Sequence, residues 1–270
     1  MLHKINDAVE FIRSKSTLQP RIGITLGSGL SSFAESVDVE CSIPYSDIPH
    51  FFPPSVAGHP GQLILGNIGS NPVAILQGRI HFYEGHSLQE VVFPTRVLGK
   101  LGVDVLVLTN AAGGLNAKMQ PGHFMIIEDH LNLTGNNPLI GPNMEELGVR
   151  FPDMSEPYDR KLISLLEKVM IQHKVPFSKG VYCGVTGPTY ETAAEIKYMA
   201  QLGGGAVGMS TVPETIAAKH MGLKVCGISC VTNLGTGLSP NPISHDEVKE
   251  IGKRVEKEFS LFLKDFVEQI

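Results

Sequence analysis

Residues 77–86 read Gln-Gly-Arg-Ile-His-Phe-Tyr-Glu-Gly-His and directly follow the apolar run PVAIL. A buried strand that runs into an arginine, two histidines, a tyrosine and a glutamate puts hydrogen-bonding groups where strand meets loop. If the extended conformation persists, the two-residue period places Arg79, His81 and Tyr83 on one face. A guanidinium, an imidazole and a phenol converging there suit a phosphate with a sugar beside it. A solvated strand end whose charges pair with one another would carry the same residues. Gly27, Ser28 and Gly29 follow a second apolar run; their amides and the serine hydroxyl are the ingredients of an anion nest, or of a plain tight turn. At 109–114 a third run closes in Thr-Asn-Ala-Ala-Gly-Gly, where only backbone can face a ligand.

The C-terminal half adds GPTYET at 187–192, VGMS at 207–210, Thr232-Asn233 and His245. Each has an ordinary reading. Ser210 can cap the helix that follows, Asn233 can form a turn, Glu191 can complement a helix dipole, and His245 can lie on the surface. All of them, however, fall where a strand hands over to a loop or helix, the place where open α/β sheets bind ligands. Other chemistries are missing from the sequence. No third glycine completes a dinucleotide fingerprint after Gly29, and there is no Walker lysine loop, G-x-S-x-G elbow or H-E-x-x-H pair.

The elements that must position these residues alternate between short β-rich runs and longer helical patterns, which predicts an α/β fold. Strands are expected at 22–26, 62–67, 73–76, 103–109, 124–127, 180–185, 206–209 and 224–232. Helices are expected at 4–15, 88–101, 159–174, 192–202, 212–221 and 245–267. Thr192 with Glu195, Thr211 with Glu214 and Ser244 with Glu247 have the spacing of capping boxes. The Gly/Pro clusters at 49–61 and 234–242 read as long functional loops. No repeat or linker divides the 270 residues, so a single domain spanning 1–270 is expected.

A net charge of −5 argues against a nucleic-acid partner. No run is apolar enough to cross a membrane and the amino-terminal residues are not signal-like, so a cytoplasmic protein is expected. Four cysteines without a C-x-x-C pair make neither a disulfide framework nor a zinc ribbon.

Taken in order, GSGL at 27–30, GH at 58–59, QGRIHFYEGH at 77–86, TNAAGG at 109–114, GPTYET at 187–192, GMSTVPE at 208–214 and TN at 232–233 resemble the trimeric, low-molecular-mass purine nucleoside phosphorylases. The resemblance extends over about residues 20–250. It implies one α/β domain with a central mixed β-sheet flanked by helices, and phosphorolysis of a purine nucleoside to free purine and an α-sugar 1-phosphate with inversion. Inorganic phosphate would be the co-substrate, with no cofactor and no metal. Carried over by position, Ser28, His59, Arg79, His81, the Ala111 amide and Ser210 would hold phosphate. Tyr83, Met209 and His245 would line the sugar. Glu191 and Asn233 would hydrogen-bond the purine, with Ala112, Gly113, Tyr190 and Val207 against its ring. Glu191, Asn233 and His81 would carry the catalysis. Phe151, in Arg150-Phe151-Pro152, would reach into the neighbouring subunit of a homotrimer.

The resemblance also implies a preference for 6-oxopurines such as inosine and guanosine, because an ionised Glu191 accepts a proton on ring nitrogen 1 that a 6-aminopurine lacks. Tyr190 departs from the family's usual phenylalanine and brings a hydroxyl to the base pocket, a possible contact for xanthosine. The loop at 234–244 looks bacterial in type. A methylthioadenosine phosphorylase on the same scaffold would want a carboxylate at Asn233. A non-catalytic nucleoside-binding protein would have little use for Ser28, Arg79, His81 and Ser210 together.

Overall fold

A computed structural model describes every residue except 57, 117, 118 and 240–242, with residue 245 described in its backbone alone. Helix α1 (Leu2–Lys15) buries Ile5, Ala8, Val9 and Ile12, spaced as one helical face, and ends on Arg13 and Lys15, which complement its dipole. Strands β1 (Ile22–Leu26), β2 (Asp38–Pro44), β3 (Gln62–Ile68) and β4 (Asn71–Gln77) follow, then α2 (Leu88–Val91), α3 (Phe93–Leu101), β5 (Val105–Gly114) and β6 (Phe124–Asn132). The second half contains α4 (Arg160–Gln172), β7 (Phe177–Gly184), α5 (Ala193–Gln201), β8 (Gly204–Gly208), α6 (Val212–His220), β9 (Lys224–Leu234) and α7 (His245–Glu268).

The strands form one mixed sheet in the order β2-β3-β4-β1-β5-β8-β7-β6-β9, and β5 also pairs with β9. Five strands, β5, β8, β7, β6 and β9, therefore close on themselves, while β1, β4, β3 and β2 extend from them as an open wing. Along β5, pairing with β1 stops at Leu108 and pairing with β8 starts at Gly113. Residues 109–112 are left without a strand neighbour on that side, so the sheet has a notch. The carboxyl ends of parallel β1, β4, β5 and β9 meet the end of the oppositely running β8 at this notch. A single apolar core runs from Ile5 to Val267, with a satellite of Leu115, Cys183, Ile196, Met199 and Val207. Among the described residues no helix is long and apolar enough to cross a membrane.

Several expected boundaries move. Strand β2 is unpredicted because it is an edge strand with Ile43 as its one buried residue, which leaves no alternation to read. The helix expected over 88–101 divides at Val92, because Pro94 has no N–H to continue the ladder. Strand β5 runs on to Gly114, since the small residues after Thr109 still pair their backbones with β9, across a bulge at Ala112/Gly113. The predicted capping boxes form at Thr192 and Thr211, and the Ser244 hydroxyl accepts from the Glu247 amide.

Candidate active site

The extended run through Arg79, His81 and Tyr83 does not exist. Strand β4 stops at Gln77, and residues 82–84 form a turn of 3-10 helix. Gly78 is the cause: its φ is +105°, and a Cβ there would lie 2.7 Å from that of His59. The three side chains nevertheless line the same cavity of about 400 Å³, brought together by the turn rather than by strand alternation. His81 and Tyr83 stack with ring centroids 4.7 Å apart.

Hydrogen bonds set the state of each group at one end of this cavity. The Arg79 amide donates to Nδ1 of buried His59 at 3.3 Å, so a neutral ring carries its proton on Nε2 and directs it at Ser28 Oγ, 2.9 Å away. The Ser28 hydroxyl hydrogen is then available to a ligand. Ser28 sits on a turn that only glycine can complete: Gly29 has φ +76° and packs against the backbone of Gly252 in α7. Arg79 is 6% exposed. Its Nε donates to Glu214 at 3.0 Å and its Nη1 to the Thr109 carbonyl at 2.9 Å, while Nη2 is buried without a partner. His81 Nδ1 lies 2.9 Å from Glu84 Oε1. Burial alone would raise the Glu84 carboxyl, but bonds from His81 and Ser55 overcome it and hold the group at about 2. As an acceptor only, Glu84 keeps a proton on His81 Nδ1. Ser210 Oγ lies 3.1 Å from Thr211 Oγ1, just ahead of α6.

Asn233, the penultimate residue of β9, also lines the cavity. Its Oδ1 accepts from Thr232 Oγ1 at 3.0 Å and its Nδ2 donates to the Leu234 carbonyl at 3.2 Å, which leaves the second amide hydrogen for a ligand. Burial, with Glu195 adding to it, holds the Glu191 carboxyl above the ordinary glutamate range. Burial and the nearby Glu84 push the Tyr83 phenol up to about 12, so it stays a neutral donor. Ala111, Ala112 and Gly113 form one wall at the notch in the sheet, and Val207, Met209 and Tyr190 line the cavity with them.

Residues 21–268 match the family model of the phosphorylase superfamily. The sequence is 48% identical over 269 residues to purine nucleoside phosphorylase 1 of Bacillus subtilis, covering 100% of this chain and 99% of that one. The chain belongs to the purine nucleoside phosphorylase family. Crystal structures of a Schistosoma mansoni purine nucleoside phosphorylase extend the likeness to the fold. The complex with inosine has a TM-score of 0.94 at 38% identity and covers 100% of this chain and 97% of that one. The complex with adenosine has a TM-score of 0.95 at 38% identity, with coverage of 100% and 98%.

Of the residues expected from the sequence of this phosphorylase, Ser28, Arg79, His81, Tyr83, Ala111, Ala112, Gly113, Tyr190, Glu191, Val207, Met209, Ser210 and Asn233 line the one cavity. His59 reaches it through Ser28. The side chain of His245 lies outside the described residues. Phe151 is 87% exposed and is not among the lining residues of its own chain's cavity. The motifs contain Asn110, Thr232, Glu84 and Glu214 without giving them a part in the site; Asn110 and Thr232 line the cavity, and Glu84 and Glu214 hold His81 and Arg79. The spacing of Glu214 marks a helix cap at the close of GMSTVPE and Glu84 belongs to a polar run; neither spacing signals the arginine or histidine it holds.

Proposed function

We propose that the protein cleaves 6-oxopurine ribo- and deoxyribonucleosides such as inosine and guanosine with inorganic phosphate, releasing purine and α-(deoxy)ribose 1-phosphate. The observation that carries this reading is Arg79. A buried guanidinium with two nitrogens anchored and Nη2 unpartnered calls for an anion, since an unsatisfied buried donor costs about 1–3 kcal/mol. Ser28, His81, the Ala111 backbone and Ser210 line the same cavity as Arg79, and hydroxyls, an imidazole and a backbone amide beside a guanidinium suit phosphate.

Breaking the bond from sugar to base builds positive charge on the ribose and negative charge on the purine. Phosphate held beneath the ribose stabilises the first and adds to the anomeric carbon from the face opposite the base, giving inversion. Asn233 Nδ2 donates to ring nitrogen 7 as the leaving purine gains electron density; Thr232 fixes the amide for that task. Tyr83, Met209 and His245 are assigned to the sugar, and Val207, Tyr190, Ala112 and Gly113 to the ring.

Glu191, once ionised, accepts from N1–H of a 6-oxopurine. A 6-aminopurine presents a lone pair there, and a buried carboxylate facing it disfavours the transition state on the order of 10²-fold or more. Because the Schistosoma mansoni relative has been crystallised with adenosine, turnover rather than binding is the discriminating measurement. Free hypoxanthine should appear from inosine only when phosphate is present, with adenosine turned over at least ~100-fold less efficiently. Phosphate-independent release, or equal turnover of adenosine, would overturn the reading. The active form is a cytoplasmic homotrimer.

A further inference from the structure

Thr211 stands between Ser210 and α6 in a conformation that L-residues avoid, with φ +71° and ψ −49°. The Val212 amide donates to the Ser210 carbonyl at 2.7 Å, closing a three-residue γ-turn of the rare positive-φ form. Such a turn persists only when its surroundings impose it. Here two groups do so: Asn110 Nδ2 donates to Thr211 Oγ1 at 2.9 Å, and the Thr211 amide donates to Glu214 Oε2 at 2.8 Å. The other Glu214 oxygen, Oε1, receives Arg79 Nε at 3.0 Å from 135 residues away in sequence. Glu214 is 3% exposed.

We propose that Glu214 is a positioning residue for phosphorolysis, one carboxylate that sets both arms of the phosphate site, Arg79 through Oε1 and the Ser210 turn through Oε2. This rests on the assignment of phosphate to Arg79 and Ser210. A helix cap needs only one of the oxygens; the second fixes the guanidinium plane so that Nη2 is the nitrogen left for the anion. The carboxylate also gives Arg79 a resident counter-charge, so the arginine can stand buried between turnovers. Its own negative charge opposes an incoming phosphate, which makes the sign of its removal diagnostic. If positioning dominates, phosphate use worsens; if repulsion dominates, it improves.

Glu214→Gln replaces one acceptor by an N–H donor that must face either Arg79 Nε–H or the Thr211 amide. The Michaelis constant for phosphate should rise roughly tenfold or more, the loss expected for one charge-assisted bond. That for inosine should stay within about threefold, and kcat at saturating phosphate should change less than the phosphate constant. In an Arg79→Ala background the same change should add little further loss, because its main target is gone. If Glu214→Gln does not fold, Glu214→Asp keeps the charge but shortens the reach by a methylene and carries the same expectation. An unchanged or lowered phosphate constant, or equal losses for both substrates that add to those of Arg79→Ala, would overturn the proposal. If Arg79→Ala itself leaves the phosphate constant unchanged, the phosphate assignment fails instead.

Discussion

At the scale of single residues, Glu191 is the group we propose selects the base, and its burial would give that choice a pH signature. The carboxyl is held above the ordinary glutamate range by desolvation, and only its ionised form accepts from N1–H of the base. As pH falls through that raised value the acceptor is lost, so kcat/KM for inosine should fall on an acid limb lying above the ~4.3 of an exposed glutamate. Glu191→Gln should flatten the limb and lower kcat/KM by on the order of 10- to 100-fold at neutral pH. A limb that persists unshifted in the mutant would assign it to another group. The place of Glu191 in the cavity was legible in the sequence because it belongs to the GPTYET motif in the loop between β7 and α5. Glu214 was not: its role depends on Arg79, and no local spacing links a helix cap to a guanidinium that only the closed sheet brings near. Asn110 and Thr232 belong to motifs the sequence shows, but their place on the cavity wall was not legible, since both lie inside strands where side-chain type alone does not separate a core polar group from a ligand.

At the scale of elements, the strands were readable, but several of their ends and the turns between them were not. Apolar runs located eight of the nine strands found among the described residues, because burial imposes composition. The exit of β4 depended on Gly78, whose positive φ no periodicity records. The 3-10 turn over Phe82–Glu84 is tied to the preceding loop by Glu84, which accepts from the Ser55 amide and hydroxyl as well as from His81. These bonds depress Glu84 to about 2 from an ordinary value of 4.5. A depressed carboxylate contributes stability above its unfolded value, and that contribution is lost as pH falls through the folded one. Glu84→Gln should therefore lower Tm at neutral pH, by the equivalent of on the order of 1–2 kcal/mol after screening at the loop edge. The gap to the unsubstituted protein should narrow as pH falls from about 4.5 toward 2. Thermal scans across that range are the measurement; a gap independent of pH would mean the bonds contribute nothing through ionisation.

At the scale of the whole molecule, the stretch between β6 and α4 exposes Ile140, Val149 and Phe151 at 68%, 66% and 87%. The stretch is not loose. Arg150 Nη1 donates to the Leu139 carbonyl, Asn143 Nδ2 donates to the Gly148 carbonyl, and His220 Nε2 meets Asn143 Oδ1. The loop is anchored yet presents an aromatic ring to water, with the Arg150 guanidinium 5.6 Å from its centre, and the proposed homotrimer would give that ring a partner. In a closed ring of three, each copy would lend Phe151 to the ribose end of the next copy's cavity, a heterologous contact that closes on itself. Phe151→Ala should then raise the Michaelis constant for inosine roughly tenfold, the cost of uncovering one buried aromatic contact, and leave the phosphate constant nearly alone. The sharper test mixes Phe151→Ala chains with chains inactivated by Glu191→Ala. If the ring is borrowed, some mixed trimers pair an intact Glu191 pocket with a neighbour's intact Phe151, and a fraction of sites regains the original inosine affinity. If the ring serves its own chain, every site with an intact Glu191 still lacks Phe151 and mixing restores nothing. Sedimentation fixes the assembly on which this depends: a trimer at assay concentration is expected, and a monomer would refute the shared site.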